Sequence, residues 1–194
     1  MSPVRLVIFT RWPEPGQAKT RLIPALGAEG AALVHRRLTE RTVAAARASG
    51  LAIEVRTTGA SPSAFANWLG DDLDFVDQGE GDLGERLKRA VSPAPLLFVG
   101  SDLPDLTPGH LIDAATGMAG NRVVVGPAED GGYWALGLTE PCDSLFDDVP
   151  WGTDQVLAIT LGRLRDGKID PVLLPTLADC DRPEDLGRWP DLTA

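Results

Sequence analysis

The chain has 194 residues, 43% hydrophobic and 24% charged, which suits a soluble globular protein with one domain over 1–194 and a real core. With 18 basic and 28 acidic residues the net charge is −10, which excludes broad nucleic-acid binding but leaves room for a nucleotide held by local cations. Cys142 and Cys180 are too few for a zinc cluster or disulfide framework, and no apolar run nears the roughly 20 residues of a membrane span. A cytoplasmic protein without leader or membrane contact is expected.

Val4 to Phe9 reads as a first strand. An extended loop follows, Thr10 to Leu22, broken by Pro13, Pro15 and Gly16 and carrying Arg11, Lys19 and Arg21. GQAKT lacks the leading glycine and spacer of a Walker A loop, so a P-loop ATPase is not supported. A basic loop after a first strand points to phosphate contact, against the alternative of a solvated basic loop. Ala28 to Ser49 predicts a long helix stopped by Gly50, with His35 at its surface or boundary. Ala52 to Thr58 alternates as a second strand, and Ser61-Pro62 opens a short helix to Leu69.

Leu73 to Gln78 predicts a third strand running into Gly79, Gly81 and Gly84, where missing side chains permit close approach to a ligand. The helix after it, to about Val91, would aim its N-terminal amides at the same rim. Leu96 to Val99 runs directly into Gly100-Ser101-Asp102-Leu103-Pro104, a buried strand delivering Asp102 to the rim where open α/β sheets bind ligands. Alone, Asp102 reads equally as a metal ligand or a capping carboxylate. Thr107-Pro108 starts another helix. Arg122 to Gly126 and Tyr133 to Leu138 are strands joined by Pro127-Ala128-Glu129-Asp130-Gly131-Gly132, too short for a crossover helix, so they should be antiparallel neighbours or diverge around the site, and the sheet mixed. A helix over about Asp154 to Arg165 and a last strand, Pro171 to Leu174, precede Asp179-Cys180-Asp181. In extended backbone both aspartates share one face.

Three aspartates without histidine or thiolate partners, Asp102, Asp179 and Asp181, favour Mg²⁺ or Mn²⁺ over Zn²⁺. Facing Lys19 and Arg21, such a cation suits displacement at a nucleotide phosphate.

The segments IFTRWPEPGQAKTRL, GSDLPDL, GPAEDGGYWALGL, WGTDQV and DCDRPEDL resemble the DUF2064 family of the GT-A-like superfamily, labelled a glycosyltransferase. GSDLP and DCDRPEDL also resemble molybdenum-cofactor nucleotidyltransferases and phospholactate guanylyltransferase. The resemblance implies a single-domain α/β GT-A, Rossmann-like fold with a mixed, mostly parallel sheet flanked by helices. It implies Asp102 as metal ligand with Asp179 and Asp181, and phosphate contact by Lys19 and Arg21. Arg11, Gln78, Gly79, Gly81, Gly84 and Ser101 complete the expected nucleotide site. Glu129, Gly131, Gly132, Tyr133 and Trp151 are expected at the acceptor, with Asp130 as general base and Lys19 and Asp102 beside it in catalysis. Trp134 reads equally as core or as a stacking surface. The chain departs from the relatives' Gly-rich N-terminal signature at Trp12 to Pro15, and has Arg182 where threonine is usual. The expected activity is Mg²⁺-dependent nucleotidyl transfer from an NTP to a small phosphorylated or phosphonate acceptor. The alternatives are glycosyl transfer from a nucleotide sugar and nucleotide binding without turnover. A homodimer is left open.

Overall fold

The structure, a computed structural model, describes residues 3–194. Seven strands form one mixed sheet: β1 (Arg5–Arg11), β2 (Ala52–Thr58), β3 (Asp74–Asp77), β4 (Leu96–Gly100), β5 (Val123–Pro127), β6 (Tyr133–Leu138) and β7 (Val172–Leu173). Their order is β3-β2-β1-β4-β6-β5-β7, with only β6 antiparallel to its neighbours β4 and β5. The other pairings are parallel. The fold is therefore the expected α/β arrangement. The short Ala128–Gly132 connection forces the one reversal, since parallel neighbours need a crossover of a dozen or more residues.

Among the described residues five α-helices flank the sheet: α1 (Ile23–Ser49), α2 (Pro62–Leu69), α3 (Leu83–Ala90), α4 (Pro108–Gly117) and α5 (Val156–Asp166). Val43 and Ala46 of α1, Phe65 of α2 and Leu111 of α4 pack with Leu6, Ile8 and Val55 in one core. Leu87 of α3 and Leu164 of α5 pack with Val7, Phe98 and Leu136 in a second. Each fully buried side chain of this size contributes about 1.5–3 kcal/mol of transfer free energy. A third cluster joins α1 to the C-terminal segment through Val34 and Leu38 against Cys180, Trp189 and Leu192.

Caps set several helix starts as expected. Ser61 accepts from Ala64 N, and Thr107 and His110 form a reciprocal capping box. Differences from expectation have local causes. β1 runs two residues further, because Thr10 and Arg11 keep pairing with Thr57 and Thr58. α1 begins at Ile23 across a kink at Gly27 (φ 73°, ψ 173°), so regular helix starts near the expected Ala28. His35 is buried rather than at a boundary, held by Nε2 donating to the Arg11 carbonyl at 3.0 Å. No described helix is long and apolar enough to cross a membrane.

Candidate active site

Because β6 alone is reversed, the carboxyl ends of six strands and the start of β6 meet at one rim. The chain runs outward from β1 to β2 and β3, then returns to β4 on the other side of β1. The crevice between β1 and β4 is thus the topological switch point, where open α/β sheets bind ligands.

Lys19 and Asp102 meet there. The loop after β1 puts Lys19 in the left-handed region (φ 47°, ψ 46°), a cost of about 1–2 kcal/mol for a residue with a Cβ. Its side chain is 3% exposed, with Nζ 2.8 Å from Asp102 Oδ1 and 3.4 Å from Asp181 Oδ1. Burial disfavours the ammonium, but the Asp102 and Asp181 charges outweigh it and hold its pKa above the ordinary lysine value. Burial likewise opposes the Asp102 carboxylate, and the Lys19 and His35 charges pull its pKa below the usual range. Arg21 also pairs with Asp181, and its Nη2 donates to Gly152 O at 3.2 Å. Beneath this cluster lies a buried hydroxyl chain: Ser101 Oγ donates to Thr10 Oγ1 at 3.3 Å, and Thr10 Oγ1 lies 3.1 Å from Thr39 Oγ1. Ser101 is therefore a support beneath the rim.

The segment after β7 brings in the remaining carboxylates. Leu177 N donates to Pro127 O and Cys180 N to Asp102 O, at 3.1 and 3.0 Å. Asp179 and Asp181 both border the rim cavities, while Cys180 is fully buried in the third cluster. In the β5–β6 turn, Asp130 Oδ1 accepts from Gly132 N at 2.8 Å. Gly131 (φ 86°) presses on α5's approach: a Cβ there would lie 2.4 Å from Asp154 O. Glu129 instead takes Arg188, at 2.6 and 3.3 Å.

Three adjoining cavities open at this rim. One of about 290 Å³ carries the cations Arg11, Lys19 and Arg21, with His35, Asp102 and Asp181. One of about 540 Å³ is polar, with Glu129, Asp130, Asp179 and Asp181. The third, about 330 Å³, is bordered by Asp102, Asp130, Asp179 and Asp181 and runs inward between the sheet and α3. Tyr133 and Trp151 line this last cavity, as does one edge of Trp134. Trp134 is otherwise core, 3% exposed, with its indole N–H on Pro175 O at 3.0 Å.

The glycine-rich loop after β3 is placed differently. A Cβ on Gly79 would meet Arg89, one on Gly81 would meet Glu85, and one on Gly84 would lie 2.5 Å from Phe146 O. Gln78 is buried, its amide donating to Thr10 O and Arg56 O at 2.9 Å each. These four residues border none of the three cavities. Their close approaches are to protein atoms.

The three aspartates expected to hold a metal do not converge. Among the described residues no group of three or more His, Cys, Asp or Glu side chains is placed to hold a metal ion. The Lys19 ammonium stands between Asp102 and Asp181 instead, because the β1 loop folds over the end of β4. The donor chemistry still fits a hard divalent cation, since every carboxylate here offers oxygen only. Burial and the nearby Asp130 charge push the Asp179 carboxyl up to about 6, a cost that a cation beside it would relieve. A cation held by fewer protein carboxylates, with substrate phosphate completing its shell, suits Mg²⁺ or Mn²⁺.

Several contributors were not anticipated from sequence. Phe9, Leu83, Leu87 and Phe98 wall the third cavity. Trp189 Nε1 donates to both oxygens of Asp105, at 3.0 and 3.1 Å, and Arg188 stacks over its ring at 4.7 Å. The pair thereby ties the C-terminal segment to the loops of Asp102 and Asp130. The one available signal was an Arg-Trp pair within a polar C-terminal stretch.

Similar solved structures share this architecture. A protein of Desulfovibrio desulfuricans G20, provisionally named a nucleotide-diphospho-sugar transferase, is 28% identical over 94% of this chain and 84% of its own, with TM-score 0.87. Rv0371c of Mycobacterium tuberculosis H37Rv, solved in complex with manganese, is 17% identical over 96% and 97% of the two chains, with TM-score 0.58. CMP:2-keto-3-deoxy-manno-octonic acid synthetase, solved with CTP, is 13% identical over 98% of each chain, with TM-score 0.57. The last two share the fold alone. No curated protein matches the chain significantly. Residues 41–153 match the family described as "Uncharacterized protein conserved in bacteria (DUF2064)", and the chain belongs to that family, with a GT-A-like fold.

Proposed function

We propose that the protein is a transferase acting on a nucleotide-activated donor, with one domain spanning the chain. The observation that carries this is Lys19, a buried ammonium in a strained backbone conformation, clamped by Asp102 and Asp181 at the β1/β4 switch point. Strain of this kind concentrates at functional sites. In this reading Arg11, Lys19 and Arg21 receive the donor's phosphates in the basic cavity. Of the three aspartates, Asp179 is the one left to offer oxygen to a divalent cation shared with those phosphates, because Lys19 takes Asp102 and Asp181. When bound, that cation would withdraw charge from the departing phosphate. The names of the Desulfovibrio transferase, of the manganese complex and of the CTP complex support nucleotide and metal.

Glycosyl transfer from a nucleotide sugar is the finer reading the site favours. Four carboxylates stand at the inner cavity's opening, against the Lys19 and Arg21 cations already paired to Asp102 and Asp181. That field suits a neutral hydroxyl acceptor better than an anionic one. The hydroxyl oxygen attacks the anomeric carbon, the bond from that carbon to the phosphate oxygen breaks, and the nucleoside diphosphate leaves. Asp130, fixed by the Gly132 amide, takes the hydroxyl proton. Nucleotidyl transfer to a phosphorylated or phosphonate acceptor, with pyrophosphate leaving, is the second reading, supported by the Lys19–Asp102 contact at a GSDLP loop.

The test is a panel of nucleotide sugars and NTPs with Mg²⁺ or Mn²⁺. Release of nucleoside diphosphate supports the first reading and pyrophosphate the second. If no nucleotide raises the melting temperature, the donor assignment fails.

A further inference from the structure

The inner cavity differs from its two neighbours in how its walls change with depth. At the opening stand exposed or half-exposed polar groups: Asp102, Asp130, Asp179, Asp181, Thr153 and Arg21. Further in, the walls are Leu87, Phe98, Leu103, Trp134 and Val156, each less than 9% exposed. Half-buried Phe9 and Trp151 close the sides, and Phe9 meets Phe98 edge-on at 5.7 Å. The indole N–H of Trp134 is already committed to Pro175 O. Two side-chain polar handles remain on these walls, the Trp151 indole N–H and the Tyr133 hydroxyl. Burial raises the pKa of the Tyr133 hydroxyl.

Resting on the transferase reading, we propose that this cavity receives the body of the acceptor, and that this body is an uncharged apolar ring or short chain with one hydroxyl directed to Asp130. About 330 Å³ lies within the range of small-molecule sites, roughly 300–1,000 Å³. A phosphorylated acceptor would have to carry its charge past four carboxylates or bury it against aromatic rings. A polyhydroxylated sugar would leave several hydroxyls facing Leu87, Phe98 and Val156, each costing about 1–3 kcal/mol if unpaired. A nucleobase has the same defect, because the Tyr133 hydroxyl and the Trp151 indole N–H are two handles and a base edge presents several donors and acceptors. The donor's phosphates, by contrast, have Arg11 beside the paired Lys19 and Arg21 in the adjoining basic cavity. The two substrates would thus approach from opposite sides of the Lys19–Asp102 pair.

The test uses the full chain and ring-matched probes. Cyclohexanol and myo-inositol share a six-carbon ring and differ in their hydroxyls. Glycerol 3-phosphate and uridine represent phosphorylated and nucleobase occupants. Binding is followed by the fluorescence of the tryptophans, two of which, Trp134 and Trp151, line the cavity. Cyclohexanol should saturate at a concentration at least tenfold below that needed for any other probe. Tyr133→Phe should weaken it several-fold without changing the melting temperature. Phe98→Ser should abolish it, and if that variant does not fold, Leu87→Asn serves in its place. Equal or tighter binding of myo-inositol, glycerol 3-phosphate or uridine overturns the proposal, as does absence of saturable cyclohexanol binding. Displacement of cyclohexanol by uridine also overturns it. A parallel melting-temperature shift with nucleotide sugars and Mn²⁺ reports on the donor site alone, so failure of the acceptor assignment is distinguishable from failure of the transferase reading.

Discussion

Two loops at the rim look alike in sequence and are packed differently. Gly79–Gly84 and Glu129–Gly132 each follow a strand, each combine glycines with acidic residues, and each include glycine at positive φ. The first folds onto its own helix: Gly81 makes room for Glu85, which closes a capping box with Asp82, and Gly84 lets α3 approach Phe146 and Trp151. The second turns outward and carries Asp130 to two cavities. The difference lies in what arrives later in the chain. Leu177 and Arg188 hold the second loop from its far side, through Glu129 N to Leu177 O and the Glu129–Arg188 pair. Glycine content marks where backbone comes close to something, and the partner can be protein as readily as ligand.

The largest effect that sharpens this contrast is at Asp130. Asp130→Asn should lower kcat by about 10²–10⁴, the contribution of a positioned base, with the donor-induced melting shift unchanged. Unaltered turnover would remove the base role. Gly84→Ala should act in the opposite way. Its Cβ would land 2.5 Å from Phe146 O, and overpacking of that kind costs about 1–3 kcal/mol. For a chain of this length that lowers the melting temperature by roughly 2–12 °C, read by calorimetry. Loss of donor binding without loss of stability would break the comparison and return the first loop to the nucleotide site.

Arg188→Ala is a smaller change. The Glu129 pair is exposed, so the melting temperature should hardly move. Loosening the turn should cost several-fold in kcat, with little change in donor KM and partial recovery in Arg188→Lys. A change in donor KM alone would place Arg188 on the donor instead.

The smallest effect concerns His35, beneath the loop that bears Lys19. Burial holds its pKa below the ordinary 6.5, against the Asp102 charge, which raises it. Above that pH the residue is neutral folded and unfolded alike and contributes nothing to pH dependence. As pH falls below 6.5 the unfolded chain takes the proton first, so stability drops by up to about 1.4 kcal/mol per pH unit until the folded pKa is reached. Denaturation midpoints at pH 7 and 5.5 should therefore diverge more in the native protein than in His35→Gln.

Much of the fold is legible in the chain order. Ala52–Thr58, Pro62–Leu69, Pro108–Gly117 and Tyr133–Leu138 lie where alternation, Ser-Pro and Thr-Pro starts and turn residues put them. The reversal of β6 follows from a five-residue connection. These are local matters of steric preference and loop length, and local residues state them. The candidate site was legible as a set of charged residues, Lys19, Asp102, Asp130, Asp179 and Asp181, but not as an arrangement. That Lys19 stands between two of the expected metal ligands depends on the pairing of segments separated by 162 residues. The inner cavity was hidden for the same reason. Phe9, Leu87 and Phe98 come from three elements and read individually as ordinary core.

Sequence alone determined that Leu96–Val99 would end in Asp102 at a rim, because an apolar run followed by Gly-Ser-Asp and a proline has few other outcomes. It also determined that Asp179 and Asp181 would alternate with Cys180, because extended backbone has a period of two. Tertiary structure alone decided what those carboxylates face. Lys19 is neutralised by Asp102 and Asp181, Asp179 is left beside Asp130, and Glu129 is taken by Arg188. Charge pairing depends on distances of a few ångströms between remote segments, and no local pattern of residues encodes those distances.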